Sequence, residues 1–159
     1  MEIKMETAKK MVVDKRREIV SVPVGTTLFA TLEKMNQKKV GAILVTRDEK
    51  IVGIWTERDL MRDILRERFD LKNALVEDYM TTQPISAPHT DTVFNLMDKF
   101  LGLRVRHLLI EEDSNIIGLV SGGDVMRCVI HEKDTDLKQL KSMVSWDYYE
   151  DWKWKPEDH

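Results

Sequence analysis

The chain has 159 residues, enough for one substantial core or two small ones pressed together and too few for a large multidomain enzyme. Its 25 basic and 28 acidic side chains leave a net charge of −3, without the basic excess that announces a nucleic-acid binder. A single cysteine, Cys128, excludes an internal disulfide and a cysteine-based metal site, and no run approaches the roughly 20 apolar residues of a membrane span, so a reduced, cytoplasmic protein with no membrane contact is expected.

Residues 1–10 lack the apolar core of a secretion signal and read as an N-terminal extension. A first unit, residues 11–70, opens with the short apolar run Ile19 to Val22, which Pro23 stops in the manner of an edge strand. Thr26-Thr27 then supplies an N-cap for an amphipathic helix whose stripe is Leu28, Leu32 and Met35. The runs Ala42 to Val45 and Ile51 to Trp55 are too short for helices and are joined by the polar turn Arg47-Asp-Glu-Lys50, which predicts a hairpin of buried strands. Thr56 ends the second strand and opens a helix whose inward face is predicted to be Leu60, Ile64 and Leu65.

A second unit, residues 71–132, repeats the first. Sliding Ile19–Leu65 forward by 65 positions without a gap lays it on Pro84–Ile130, and Gly53-Ile-Trp-Thr56-Glu-Arg-Asp59 meets Gly118-Leu-Val-Ser121-Gly-Gly-Asp124. Asp91-Thr92 caps a helix with Val93, Met97 and Phe100 inward; Leu108–Ile110 and Ile116–Val120 are the paired strands; Val125, Val129 and Ile130 face inward from the last helix. Each unit is therefore β-α-β-β-α, and the whole is an α/β (α+β) fold of two copies with pseudo-twofold symmetry and two equivalent clefts. The charged join, Arg66 to Thr82, implies close packing. The tail, residues 133–159, concentrates five aromatic residues in Trp146–Trp154, which suits rings laid on the protein or a docking peptide.

The doubled element Thr56-x-x-Asp59 and Ser121-x-x-Asp124 has two readings. A hydroxyl and a carboxylate three residues apart at a helix start form a capping box, a purely structural device. Yet free helix amides beside a hydroxyl also hold phosphate, the carboxylate suits the hydroxyls of a ribose, and Gly53 and Gly118 permit close backbone approach by a ligand. A nucleotide satisfies both halves. Arg106-His107 in copy two stands where copy one has Gly41-Ala42, so phosphate-seeking cations lie mainly in the second cleft, where a phosphate would favour protonated His107; Arg58, Arg62 and Arg127 are further candidates.

The glycine-to-aspartate motifs, with Tyr79-Met80-Thr81 and Val105-Arg106-His107-Leu108-Leu109-Ile110, resemble the tandem CBS-domain module (Bateman module) over roughly Val12 to His131. The resemblance implies two CBS domains and a regulatory ligand containing adenosine, such as AMP, ADP or ATP, with no obligatory cofactor. It also implies a homodimer of modules and an effector protein that receives the signal in trans. Carried onto this sequence, it places Asp59 and Thr56 in one cleft and Asp124 and Ser121 in the other, with Val20 and Ser21, or Ile85 and Ser86, lining the base pockets. Two departures stand out: Leu109 where the family often has proline, and Gly122-Gly123, which loosens the helix start that holds Ser121 and Asp124.

Catalysis is not expected, since there is no Walker-type loop or cysteine triad and His89, His107, His131 and His159 form no pair at metal-ligand spacing. The alternative to a nucleotide sensor is a degenerate pair that serves as a dimerisation and interaction scaffold without a bound nucleotide.

Overall fold

The computed structural model describes residues 6–15 and 18–141. Its elements are α1 (Ala8–Lys15), β1 (Ser21–Pro23), α2 (Leu28–Lys38), β2 (Ala42–Arg47), β3 (Lys50–Thr56), α3 (Glu57–Asp63), a 3-10 turn (Val76–Asp78), β4 (Thr81–Thr82), β5 (Ser86–Pro88), α4 (Val93–Leu103), β6 (His107–Glu112), β7 (Asn115–Ser121) and α5 (Gly122–Lys141). The Trp146–Trp154 segment lies outside the described residues.

The two copies repeat each other down to strand register. β1 runs parallel to β2 with Ser21 opposite Leu44, and β5 runs parallel to β6 with Ser86 opposite Leu109. The hairpins β2–β3 and β6–β7 are antiparallel, with a register irregularity at Val45/Thr46 and at Ile110/Glu111. Both hairpins turn through two consecutive residues of positive φ, Asp48 and Glu49 in one and Asp113 and Ser114 in the other, as the twist of a two-residue hairpin demands. Thr27 and Thr92 cap α2 and α4, each accepting the amide three residues on.

The strands are apolar on both faces because both are covered. Ile43, Val45 and Trp55 meet α2 and its neighbours in the core of copy one, while Leu108, Ile110 and Val120 meet Leu96 and Phe100 in that of copy two. On their other faces Ala42, Leu44 and Ile54 of the first sheet close on Leu109 of the second, with Ile19, Ile51, Ile116 and Leu119 around them. This third cluster joins the copies. Leu109, the departure from proline, is therefore an interface side chain, 3% exposed.

The segments outside the repeat are exchanged. Ala8 and Met11 of α1 are buried in the core of copy two, and Thr7 bridges to Thr92. The join between copies folds back on copy one: Val76 enters its core, Leu75 bridges to Thr27, and β4 adds a fourth strand beside β3. Backbone amides enforce both placements, with Leu28 donating to the Ala74 carbonyl and Val93 to that of Glu6. Gly25, with a φ of 85°, turns the chain so that its amide reaches the Glu77 carboxylate.

Ile64, Leu65 and Ile130 do not face inward as predicted; they are 58%, 85% and 62% exposed. Helix α3 ends at Asp63, whose fully buried carboxylate accepts the Trp55 indole N–H at 3.2 Å and pairs with Arg62 and Arg66. That anchor ends the helix before Ile64 and Leu65 can turn under.

Candidate functional site

The cleft between the copies is a cavity of about 160 Å³, built from both. Copy one contributes Ile19 and Val20, ahead of β1, and Val40 and Ala42 at the start of β2; copy two contributes Leu119 and Ser121 of β7 with Asp124 and Arg127 of α5. The backbone wall beside β1 of one copy thus meets the hydroxyl–carboxylate pair of the other. The exchanged helix α1 adds Lys15 from 109 residues away.

Asp124 is the most engaged group in this cleft. Its Oδ2 accepts the Ser121 backbone amide at 2.8 Å, the Ser121 hydroxyl at 2.9 Å and the Lys15 ammonium at 2.6 Å, while Oδ1 accepts Arg127 at 2.7 Å. Ser121 Oγ in turn accepts the Asp124 amide, completing a capping box. Burial alone would raise the pKa of this carboxyl, but the Lys15 ammonium and the Ser121 donors overcome it and hold the value at about 2. Lys15 is also fixed by donating to the Leu119 carbonyl at 3.0 Å.

Thr56 and Asp59 reproduce the cap without the lysine. Asp59 Oδ2 accepts the Thr56 amide and hydroxyl, both at 2.9 Å, and Oδ1 faces Arg62 at 3.2 Å. The structural reading of the doubled motif is thus realised in both copies; only the second puts its carboxylate into the cleft that holds Val20.

His107 lines the same cleft, and there burial, then the Lys15 charge, push its pKa below the usual histidine value, so the imidazole is neutral at pH 7. Arg106, one residue ahead of β6, lines a separate hollow with Gly122 and Gly123. Ser21 uses its carbonyl to accept the Lys34 ammonium at 2.6 Å. Ile85 is 42% exposed, and Ser86 donates to Glu111 at 3.1 Å on a separate surface. Arg58 is exposed on α3.

Gly53 and Gly118 do not face a ligand space, contrary to expectation. A Cβ on Gly53 would lie 2.2 Å from Met80 Sδ, and one on Gly118 would lie 2.5 Å from the Val12 methyls. The close approach these glycines permit is that of the exchanged segments, whose side chains occupy the space assigned to a ligand.

Sequence reasoning missed Lys15, Glu18 and Lys39, which all line the cleft. Lys39 carries no motif, being the left-handed cap residue of α2. Lys15 lies outside the repeated stretch, so nothing in the repeat points to it. Among the described residues no helix is long and apolar enough to cross a membrane, and no His/Cys/Asp/Glu cluster is fit to hold a metal ion.

A family model described as CBS domain matches residues 12–66 and again residues 76–131. The chain is 32% identical over 127 residues to the mitochondrial CBS domain-containing protein CBSX3 of Arabidopsis thaliana, a match that covers 77% of this chain and 62% of that protein. The chain thus spans less than two thirds of that relative, and 20% of the length of a second one from the same plant. Among solved structures, a CBS-domain containing protein from Agrobacterium tumefaciens superposes with a TM-score of 0.73 at 28% identity, over 78% of this chain and 99% of that one. A CBS domain protein from Pyrobaculum aerophilum, solved complexed with AMP, gives a TM-score of 0.68 over 81% and 99% of the two chains; at 20% identity that is a likeness of fold.

Proposed function

We propose that this chain, which belongs to the CBS-domain family and carries two copies of its domain, is a regulatory module that binds an adenosine nucleotide in the cleft closed by Ser121 and Asp124. The observation that carries this reading is the joining, in one cavity, of an apolar wall from copy one to a hydroxyl, a carboxylate and three cations, Lys15, Lys39 and Arg127. Ile19, Val20, Val40 and Leu119 offer an adenine ring an apolar slot, beside backbone groups that can read its edge. The Asp124 carboxylate offers two oxygens to a ribose diol. The cations stand where a phosphate would follow. The AMP complex of the Pyrobaculum structure supports the ligand class by analogy of fold.

Small-molecule sites usually measure about 300–1,000 Å³, and the cleft holds about 160 Å³. Entry of a nucleotide must therefore widen this cleft, and the change this imposes on the relative angle of the copies is the signal passed to an effector protein. A ligand shifts such an equilibrium only by its differential affinity for the two states. Asp124, held by Lys15 in the closed state, is where that difference arises.

A thermal-shift panel with AMP, ADP, ATP, NAD, S-adenosylmethionine and GTP tests this function. A ligand present at about a hundred times its Kd stabilises the folded state by about 2.7 kcal/mol. A selective rise with an adenosine ligand is the expected outcome. A flat panel would sink the sensor reading and leave the interaction scaffold.

A further inference from the structure

We infer that Lys15 is the selectivity residue of this cleft: by holding Asp124 in the ligand-free protein, it admits a phosphorylated nucleoside and rejects the same nucleoside without phosphate. The inference rests on the nucleotide reading of the cleft and adds to it the residue that decides between charged and neutral ligands.

Two neighbouring spaces meet at Lys15. Beside the cleft of about 160 Å³ lies a second cavity of about 330 Å³, bordered by Glu6, Asp14, Cys128 and His131. Lys15, Asp124 and Arg127 line both, so this ion triad is the wall between them. The cleft alone is smaller than small-molecule sites usually are, and the two spaces merged fall within their range. Room for a whole nucleotide thus appears where the triad opens.

Opening it has a charge consequence that depends on the ligand. Ribose hydroxyls donating to Asp124 Oδ2 compete for the atom that Lys15 holds at 2.6 Å. The displaced ammonium cannot leave with its helix, because Ala8 and Met11 fix α1 in the core of copy two. Its side chain is only 23% exposed, so it would remain partly buried with its counter-ion removed. Breaking a partly buried ion pair from one side is costly, because the remaining charge is left uncompensated. A phosphate on the ligand takes up that charge by a strong charge-assisted hydrogen bond. A neutral nucleoside offers no charge in exchange: it must leave the pair intact or leave Lys15 to the Leu119 carbonyl and to whatever Glu18 or Asp14 can supply from the cavity walls.

The test is calorimetric titration of the wild-type protein, Lys15→Met, Lys15→Gln and Lys15→Arg with AMP and with adenosine. Methionine is uncharged and keeps most of the length of the lysine stem. Two neutral variants guard against one that folds poorly. Wild type and Lys15→Arg should prefer AMP strongly. In Lys15→Met and Lys15→Gln adenosine should bind more tightly and AMP more weakly, so that the preference falls by about 10–100-fold, the worth of a hydrogen bond to a charged group. An unchanged AMP-to-adenosine ratio in both neutral variants, with both ligands still binding, overturns the role of Lys15 and leaves the nucleotide site standing. Failure of the wild type to bind either ligand overturns the site itself, and the selectivity with it.

Discussion

His107 shows how one residue reports the state of the cleft. Burial and the neighbouring Lys15 charge depress its pKa below the unfolded value of about 6.5, so above that pH both states are neutral there. As pH falls through 6.5 the unfolded chain takes up the proton first, and His107 withdraws stability until its folded pKa is passed. A phosphate in the cleft opposes this by favouring the imidazolium, so binding should take up a proton and strengthen as pH falls through this range. Following the His107 ring resonances by NMR should show an apparent pKa below 6.5 without ligand and a higher one with AMP. An identical titration in the two states would place the phosphate away from His107. Asp124, held at about 2, stays ionised throughout this range and contributes its stability until pH falls below about 4.

At the scale of elements, the repeat makes most of the architecture legible in the sequence. Each predicted strand and helix exists, and Thr27, Thr92, Thr56 and Ser121 head the helices they are expected to cap. Edges differ by a residue or two, as for β1, which occupies Ser21–Pro23 in place of Ile19–Val22, because pairing with β2 decides which residues are strand. What periodicity cannot convey is which segment lies on which copy. The exchange of α1 and the 3-10 turn is encoded in contacts 65 or more residues apart for Thr7–Thr92 and by main-chain bonds for Leu28–Ala74, neither of which leaves a local pattern. The same exchange hides Lys15 and turns two expected ligand glycines into packing positions. The exposure of Ile64 and Leu65 is not legible either, because the anchor that ends α3 is a buried acid, invisible to an apolar count. Asp63→Ala should strand the Trp55 indole and the neighbouring arginines and destabilise the fold by about 1–3 kcal/mol, against a smaller loss for Asp63→Asn, as read from urea unfolding midpoints. Equal, negligible losses in both variants would deny the anchor its role.

For the molecule as a whole, the doubled sequence also doubles an apolar surface. Met61 and Leu65 on copy one are 72% and 85% exposed, and their partners 65 residues on, Met126 and Ile130, are 56% and 62% exposed. Side chains of this size, exposed at matching positions on and just beyond α3 and on α5, suit a self-complementary interface with a second copy of the chain. Sedimentation velocity should find a dimer for the wild type and a monomer for Leu65→Glu combined with Met126→Glu, with melting little changed in dilute solution. A double variant that stays dimeric would move the interface elsewhere. Dimerisation through these helices would tie the opening of the cleft to the packing of the pair, since α5 carries Asp124 at its start and Met126 and Ile130 along its length.

The asymmetry between the copies is central to the proposed function: one fold repeated twice, with a single hydroxyl–carboxylate pair set opposite the Val20 wall and supplied with a lysine. The most direct test is calorimetric titration of AMP into the wild-type protein, Asp124→Asn and Asp59→Asn. Both substitutions keep the size of the side chain, but Asp124→Asn also breaks the pairs with Lys15 and Arg127 and should melt lower than Asp59→Asn, so binding is compared at a temperature where all three proteins are folded. Asp124→Asn should weaken binding by about tenfold or more, the worth of a charge-assisted hydrogen bond, and Asp59→Asn should leave it near the wild-type value. Loss of binding in Asp59→Asn with Asp124→Asn unaffected would contradict this assignment and put the ligand in the opposite cleft.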